Sequence, residues 1–199
     1  INIASVFALS GKKTVLVGLD LRKPKIFGDF DINNNIGAVN YLIGQMSLEE
    51  VTQKTMIEDL DVITSGPIPP NPSELLIGEK MDTLIEELKS KYDYIILDTP
   101  PVRLVADALE LIEYADATLY VVRQDYTKKD MLQLIKDKYQ KGEVKNISFL
   151  YNYFNQKGTY GYGYGYGYGY GYGAYGNGYH DNGPKKASLL DKVKGIFRK

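Results

Sequence analysis

A chain of 199 residues suits one globular domain with an appendage, and 24 basic against 25 acidic residues leave a formal charge of −1. With no cysteine, and a single histidine (His180) inside a glycine-rich stretch, the chain offers no disulfide frame, thiolate or histidine zinc site, or Ser-His triad. The charge is uneven, +4 from Gly158 onward and −5 before it; a mildly acidic body argues against nucleic acid as a partner, because such binding needs a basic patch on the folded domain.

In chain order, Ile3, Val6, Phe7 and Leu9 recur at helical spacing, and Gly11 supplies a stop. The chain is expected to start inside this helix, without a cap. Thr14 to Val17 is an apolar strand that leads into Gly18-Leu19-Asp20-Leu21-Arg22-Lys23-Pro24. Asn33 to Met46 holds a short helix through Val39, Leu42 and Ile43 that ends near Gly44. Asp61 to Thr64 is a brief strand, and the prolines between Gly66 and Pro72 fix a turn that cannot be helix. Asn71 as N-cap, Pro72 at N1 and Glu74 at N3 then start a helix expected to run to about Lys91.

The next stretch organises the rest. Tyr94-Ile95-Ile96-Leu97 is an unbroken apolar run, the pattern of a strand buried on both faces of a parallel sheet. It ends on Asp98, where open α/β sheets bind ligands, and Pro100-Pro101 then stops strand pairing. Two readings stay open here: a Walker-B strand whose aspartate holds a nucleotide-bound Mg²⁺, and an aspartate that merely caps the turn. Leu104 to Tyr114 reads as helix, Ala117 to Val122 as strand, Thr127 to Tyr139 as helix and Ile147 to Tyr151 as a last strand reaching Asn152. This alternation predicts an α/β fold, a mostly parallel sheet with helices on both faces.

From Gly158 the composition changes. Tyr160 to Gly173 alternates Tyr and Gly strictly, and the tyrosines of the segment are Tyr160, Tyr162, Tyr164, Tyr166, Tyr168, Tyr170, Tyr172, Tyr175 and Tyr179. Glycine at every second position makes ordering costly, so residues 158–183 are expected to be an unfolded tail on a 1–157 domain. Residues 184–199 read as a basic amphipathic helix, with Leu189, Leu190, Val193, Ile196 and Phe197 on one face. That helix either lies on an anionic membrane through residues 185–199 or docks back on the body. No apolar run reaches the roughly 18 residues that span a bilayer.

Asp20 and Asp98 fall at the same edge of one sheet, on strands that can be neighbours. Two carboxylates beside a phosphate-bound Mg²⁺ can divide metal holding from proton acceptance; the plain alternative pairs Asp20 with Arg22 or Lys23. Residues 15–24, 69–76 and 93–102 resemble, in that order, the bacterial tyrosine kinases of capsule and exopolysaccharide assembly, relatives of the septum-site and partition ATPases. The likeness covers essentially the whole folded part.

The resemblance implies a P-loop NTPase-like fold and Mg-ATP as cofactor. Asp20 would be the second aspartate of a Walker-A′ motif and Asp98 the Walker-B aspartate, both holding metal and both catalytic. Arg22 would join the nucleotide site, and Asn152 would help seat the adenine. It also implies phosphorylation of the chain's own C-terminal tyrosines in cis or trans, ring-shaped homo-oligomers, a membrane-spanning activator and a place on the cytoplasmic face of the bacterial inner membrane. Two departures stand out. The usual first A′ aspartate is Gly18, and a Gly-Lys-Ser/Thr P-loop occurs nowhere in the 199 residues, so the piece is expected to be N-terminally incomplete and inactive alone. Competing readings are a partition-type ATPase switch with an unmodified adhesive tail, and a binding module without catalysis.

Overall fold

The computed structural model of the chain describes residues 1–101 and 107–154. The first unit of the chain is Ile1–Asn152. The tail tyrosines and the basic segment 185–199 lie outside the described residues, as does the start of the helix expected from Leu104.

Helix α1 (Asn2–Leu9) ends at Ser10, and Gly11 then takes the left-handed conformation that glycine tolerates, φ 77°. Strand β1 (Thr14–Gly18) follows and is buried along its whole length. Two short helices, α2 (Ile26–Phe30) and α3 (Ala38–Leu42), lead to α4 (Leu48–Val51), whose Ser47 and Glu50 form the reciprocal capping pair. Strands β2 (Gln53–Lys54) and β3 (Leu60–Ile63) come next, then α5 (Pro72–Leu76), α6 (Glu79–Lys89) and β4 (Tyr94–Asp98). The unit closes with α7 (Asp107–Glu110), a 3₁₀ turn (Leu111–Tyr114), β5 (Thr118–Arg123), α8 (Lys129–Gln140) and β6 (Ile147–Asn152).

The architecture is α/β, as expected. Four strands lie in the order β2-β3-β1-β4, with β1 parallel to β3 and β4 and only the short β2 antiparallel; β5 and β6 form a separate parallel pair. Alternation along β1 splits its side chains between two layers. Val15 and Val17 pack with α3 and α6 residues such as Leu42, Met81, Leu84 and Leu88, while α1 lies against β1, β3 and β4, with Ala4 and Ala8 buried. Met81, Leu84, Ile85 and Leu88 make one stripe of α6 because three- and four-residue steps return to the same helix face.

The structure corrects three expectations. The helix expected from Pro72 to Lys91 is two helices, since Gly78 is extended and serves as the N-cap of α6. Asn71 makes no cap bond to the backbone; its amide donates to the Glu74 carboxylate at 2.6 Å. And β4 is not buried on both faces: Tyr94 is 38% exposed and Ile95 to Leu97 are half-buried. The cause is position, because β4 is an outer strand of its sheet and, among the described residues, pairs on one side only. Helices α2 and α4 and strand β2 carry too few residues for periodicity to reveal them.

Candidate active site

The parallel register sets Gly18 beside Asp98, and the Leu19 N–H donates to the Asp98 carbonyl at 2.8 Å, which carries the ladder one step past β1. Leu19 and Leu21 are both buried, whereas Asp20 between them is only half-buried. Two acidic residues therefore leave adjacent parallel strands at the carboxyl end of the sheet.

Their electrostatics bear out the closeness. Asp98 keeps solvent-accessible surface, yet its pKa is raised above the usual carboxylate range. Lost hydration is the largest cause, and the negative charge of Asp20 adds to it. A carboxylate whose ionisation is made costlier by lost hydration and by a neighbouring negative charge is one that a divalent cation would relieve, and oxygen donors of this kind suit Mg²⁺.

Asp20 is held from below. Its Oδ1 accepts the backbone N–H groups of Arg22 at 3.2 Å and Lys23 at 3.0 Å, and the Ser65 hydroxyl donates to its carbonyl at 3.2 Å. The weighed alternative, pairing with Arg22 or Lys23, thus takes the form of two backbone bonds that fix one carboxylate oxygen. The Arg22 side chain reaches across to Ser73, Nη2 donating to Oγ at 2.8 Å. Arg22 is therefore brought to the edge by its backbone, and its guanidinium ties the Pro69–Leu76 segment to that edge.

Gly18 has a steric reason. A Cβ at this position would meet Ser65 Oγ at 2.8 Å, Ser65 N at 3.1 Å and Ile26 Cδ1 at 3.3 Å. The loop after β3 occupies the place where the resemblance expects the first A′ aspartate.

Asn152 is not brought to the two aspartates by any pairing. It ends β6 opposite Arg123, in the two-stranded sheet, and its carbonyl accepts the Gln124 N–H at 3.1 Å. The nine tail tyrosines cannot be placed, because they lie outside the described residues.

Next to Asp20 is a feature that sequence reasoning missed: an open cleft of about 810 Å³ that includes Lys23, Phe27, Ile32, Asn33, Pro67 and Ile68 in its lining. Its walls are clamped. The Asn34 amide bonds the backbone of Gly66 both ways, at 2.8 and 3.1 Å, and Thr64 Oγ1 donates to the Ile36 carbonyl at 2.8 Å. Gly37 makes the clamp possible, since a Cβ there would lie 2.2 Å from the Thr64 carbonyl oxygen. The Asn33-Asn34-Asn35-Ile36-Gly37 run was the available signal, a string of turn-forming residues too long for one turn.

A family model described as an AAA domain matches residues 1–147. Tyrosine-protein kinase CpsD of Streptococcus agalactiae serotype III (strain NEM316) is 33% identical over 162 residues, covering 80% of this chain and 70% of that protein. The chain belongs to the bacterial tyrosine kinase family. Within that family, tyrosine-protein kinase YwqD of Bacillus subtilis (strain 168) is 42% identical over 136 residues, 68% of this chain and 57% of YwqD. The chain thus spans little more than half of that relative. The kinase domain of Escherichia coli tyrosine kinase ETK superposes with a TM-score of 0.73 at 33% identity, covering 82% of this chain and 64% of that one. The fold alone extends to the septum site-determining protein MinD, complexed with Mg-ADP, from Pyrococcus horikoshii OT3: TM-score 0.60 at 21% identity, over 74% of this chain and 60% of that one.

Proposed function

We propose that this chain is the acidic half of the catalytic site of an ATP-dependent protein-tyrosine kinase, and that its acceptors are its own C-terminal tyrosines. The observation that carries the reading is the pairing of Gly18 with Asp98, which brings Asp98 beside the strand that leads into Asp20, whose negative charge helps raise the Asp98 pKa. Mg²⁺ held there would neutralise charge on the transferring phosphate. Asp98 is the metal-holding residue. Asp20, with one oxygen fixed by the N–H groups of Arg22 and Lys23, presents the other to metal or to the proton of an attacking phenol. Asn152 belongs to the adenine end of the same site.

Three of the described tyrosines are engaged within the fold. Tyr41, Tyr92 and Tyr114 donate their hydroxyls to Glu87, Asp61 and Asp82 at 2.9, 2.8 and 2.8 Å. Burial first, and those carboxylates second, push the Tyr41 and Tyr114 phenols up to about 12 and Tyr92 further up. Those three hydroxyls are committed to partners within the fold, whereas each tail tyrosine has only glycine or another small residue beside it along residues 160–173. A flexible coil of 22 residues, the length from Gly158 to Tyr179, would reach roughly 26 Å, enough for a site on the same chain or on a neighbour. Phosphates on alternate residues would stand within ~7 Å and repel by about 2 kcal/mol even in water, so partly phosphorylated forms prevail.

The resemblance supports a role for this activity in surface-polysaccharide assembly, at the cytoplasmic face of the bacterial inner membrane. Its partners there are a membrane-spanning activator and a ring of identical subunits, and residues 185–199 touch anionic lipid. The test is phosphotyrosine detection with Mg-ATP on a form carrying a glycine-rich Gly-Lys-Ser/Thr loop ahead of Ile1. Phosphotyrosine within residues 160–179, cut about 10²-fold or more by Asp98→Asn, is the expected result. The 199 residues by themselves should transfer none, because no lysine-bearing loop cradles the phosphates. Absence of phosphotyrosine, or a yield that Asp98→Asn leaves unchanged, would overturn the reading and favour hydrolysis or binding alone.

A further inference from the structure

We propose that the cleft beside Asp20 is a docking subsite for an extended peptide acceptor with tyrosine at alternate positions, and that it holds the ring next to the one offered to the aspartates. The inference rests on the kinase reading for its consequence, although the binding it describes needs no phosphate transfer.

The observation behind it is a juxtaposition. The residues whose N–H groups hold the Asp20 carboxylate, Arg22 and Lys23, also line the cleft, so its mouth begins where the acidic edge ends. Its surface has two characters. Phe27, Ile32, Pro67 and Ile68 give an apolar surface, with Ile68 65% exposed. Asn33 adds a polar group to the lining, Lys23 adds another at the Asp20 end, and Lys23 forms no ion pair among the described residues. A flat apolar ring with a hydroxyl, or with a phosphate in the product, matches that division. Aromatic rings stack on proline and phenylalanine, and an ammonium favours the phosphorylated form.

Spacing decides which peptide. In an extended strand successive side chains point to opposite faces, and residues two apart share a face roughly 7 Å from each other. A Tyr-Gly repeat therefore sets every ring on one face and leaves the other bare. A strand laid along the carboxyl edge of the sheet can then offer one phenol to Asp20 and drop the next into the adjoining cleft. The walls are ready for it, because the Asn34–Gly66 and Thr64–Ile36 hydrogen bonds fix the two loops against each other before any ligand arrives.

The test uses the full 199-residue chain with its nine tail tyrosines changed to serine, so that only an added peptide presents the ring. Fluorescence anisotropy of a labelled Gly-Tyr-Gly-Tyr-Gly-Tyr peptide, without nucleotide, should show saturable binding. Moving the tyrosines to every third residue, or substituting the exposed Ile68→Asp, should weaken it about tenfold, the equivalent of one well-packed ring contact. Lys23→Glu should leave the unmodified peptide less affected than its phosphotyrosine form. No saturable binding, equal binding of both spacings, or binding indifferent to Ile68→Asp overturns the proposal. Spacing-dependent binding in a protein that never yields phosphotyrosine would keep the subsite and dismiss the kinase reading; phosphotyrosine without spacing-dependent binding would do the reverse.

Discussion

Strands β1 and β5 are alike in composition and differ in fate. Thr14-Val15-Leu16-Val17 is buried at every residue, whereas Thr118-Leu119-Tyr120-Val121-Val122 alternates between half-buried and exposed. β1 lies between two parallel neighbours with helices on both sides; β5 has β6 alone as a paired strand among the described residues. The difference teaches that an apolar run announces a strand, while its burial depends on what is placed beside it. It also explains why the candidate chemistry sits at β1: the carboxylate after a fully packed strand is held in position by everything beneath it.

The comparison can be broken with one chemistry at two places. Leu16 is 1% exposed and Leu119 is 46% exposed. Leu16→Ala should cost about 2–5 kcal/mol of unfolding free energy, through lost burial and an unfilled cavity. Leu119→Ala should cost less than about 1 kcal/mol, since surface-facing truncations change little. Denaturant titration of both variants measures the contrast, and equal losses would mean that the two sheets are equally packed.

A smaller effect sharpens the contrast at the end of β1. Gly18→Asp, which would supply the aspartate that the family resemblance expects, has to displace Ser65 and the Ile26 methyl group. It should lower stability by about 1–3 kcal/mol, as overpacking does, and should not improve metal binding. A variant that folds as firmly and binds Mg²⁺ more tightly would show that the loop after β3 yields freely.

The smallest expected effect has a sign that depends on pH. Asp98 has a folded-state pKa raised above its unfolded value, so its contribution to stability is fully present in acid and is lost as pH rises through the folded pKa. At neutral pH the ionised carboxylate is therefore a burden. Asp98→Asn should raise the thermal midpoint near pH 7, with an advantage that fades as the solution is acidified. Destabilisation at neutral pH would contradict this account, which has the residue kept at a cost to the fold.

Much of this was legible in the residues themselves. The alternation of apolar runs and helical stripes gave the α/β class, and the strand-end positions of Asp20 and Asp98 gave the acidic edge, since both depend on local pattern. What was not legible depends on contacts far along the chain. The exposure of Tyr94 follows from strand order, the break at Gly78 from where α6 must start, and the need for glycine at 18 and 37 from the approach of residues 64–66. The cleft is the same kind of feature, built from segments some 30 residues apart that no window of sequence contains together.

The central claim is that the two strand-end carboxylates form one divalent-cation site. Mn²⁺, taken up as a paramagnetic substitute for Mg²⁺, reports this directly through the broadening of nearby amide signals. The account predicts that Leu19, Asp20 and Asp98 broaden first as Mn²⁺ is added, and that Asp98→Asn abolishes the effect at all three. Broadening centred on other carboxylates, or persisting undiminished at Asp20 after that substitution, would contradict it.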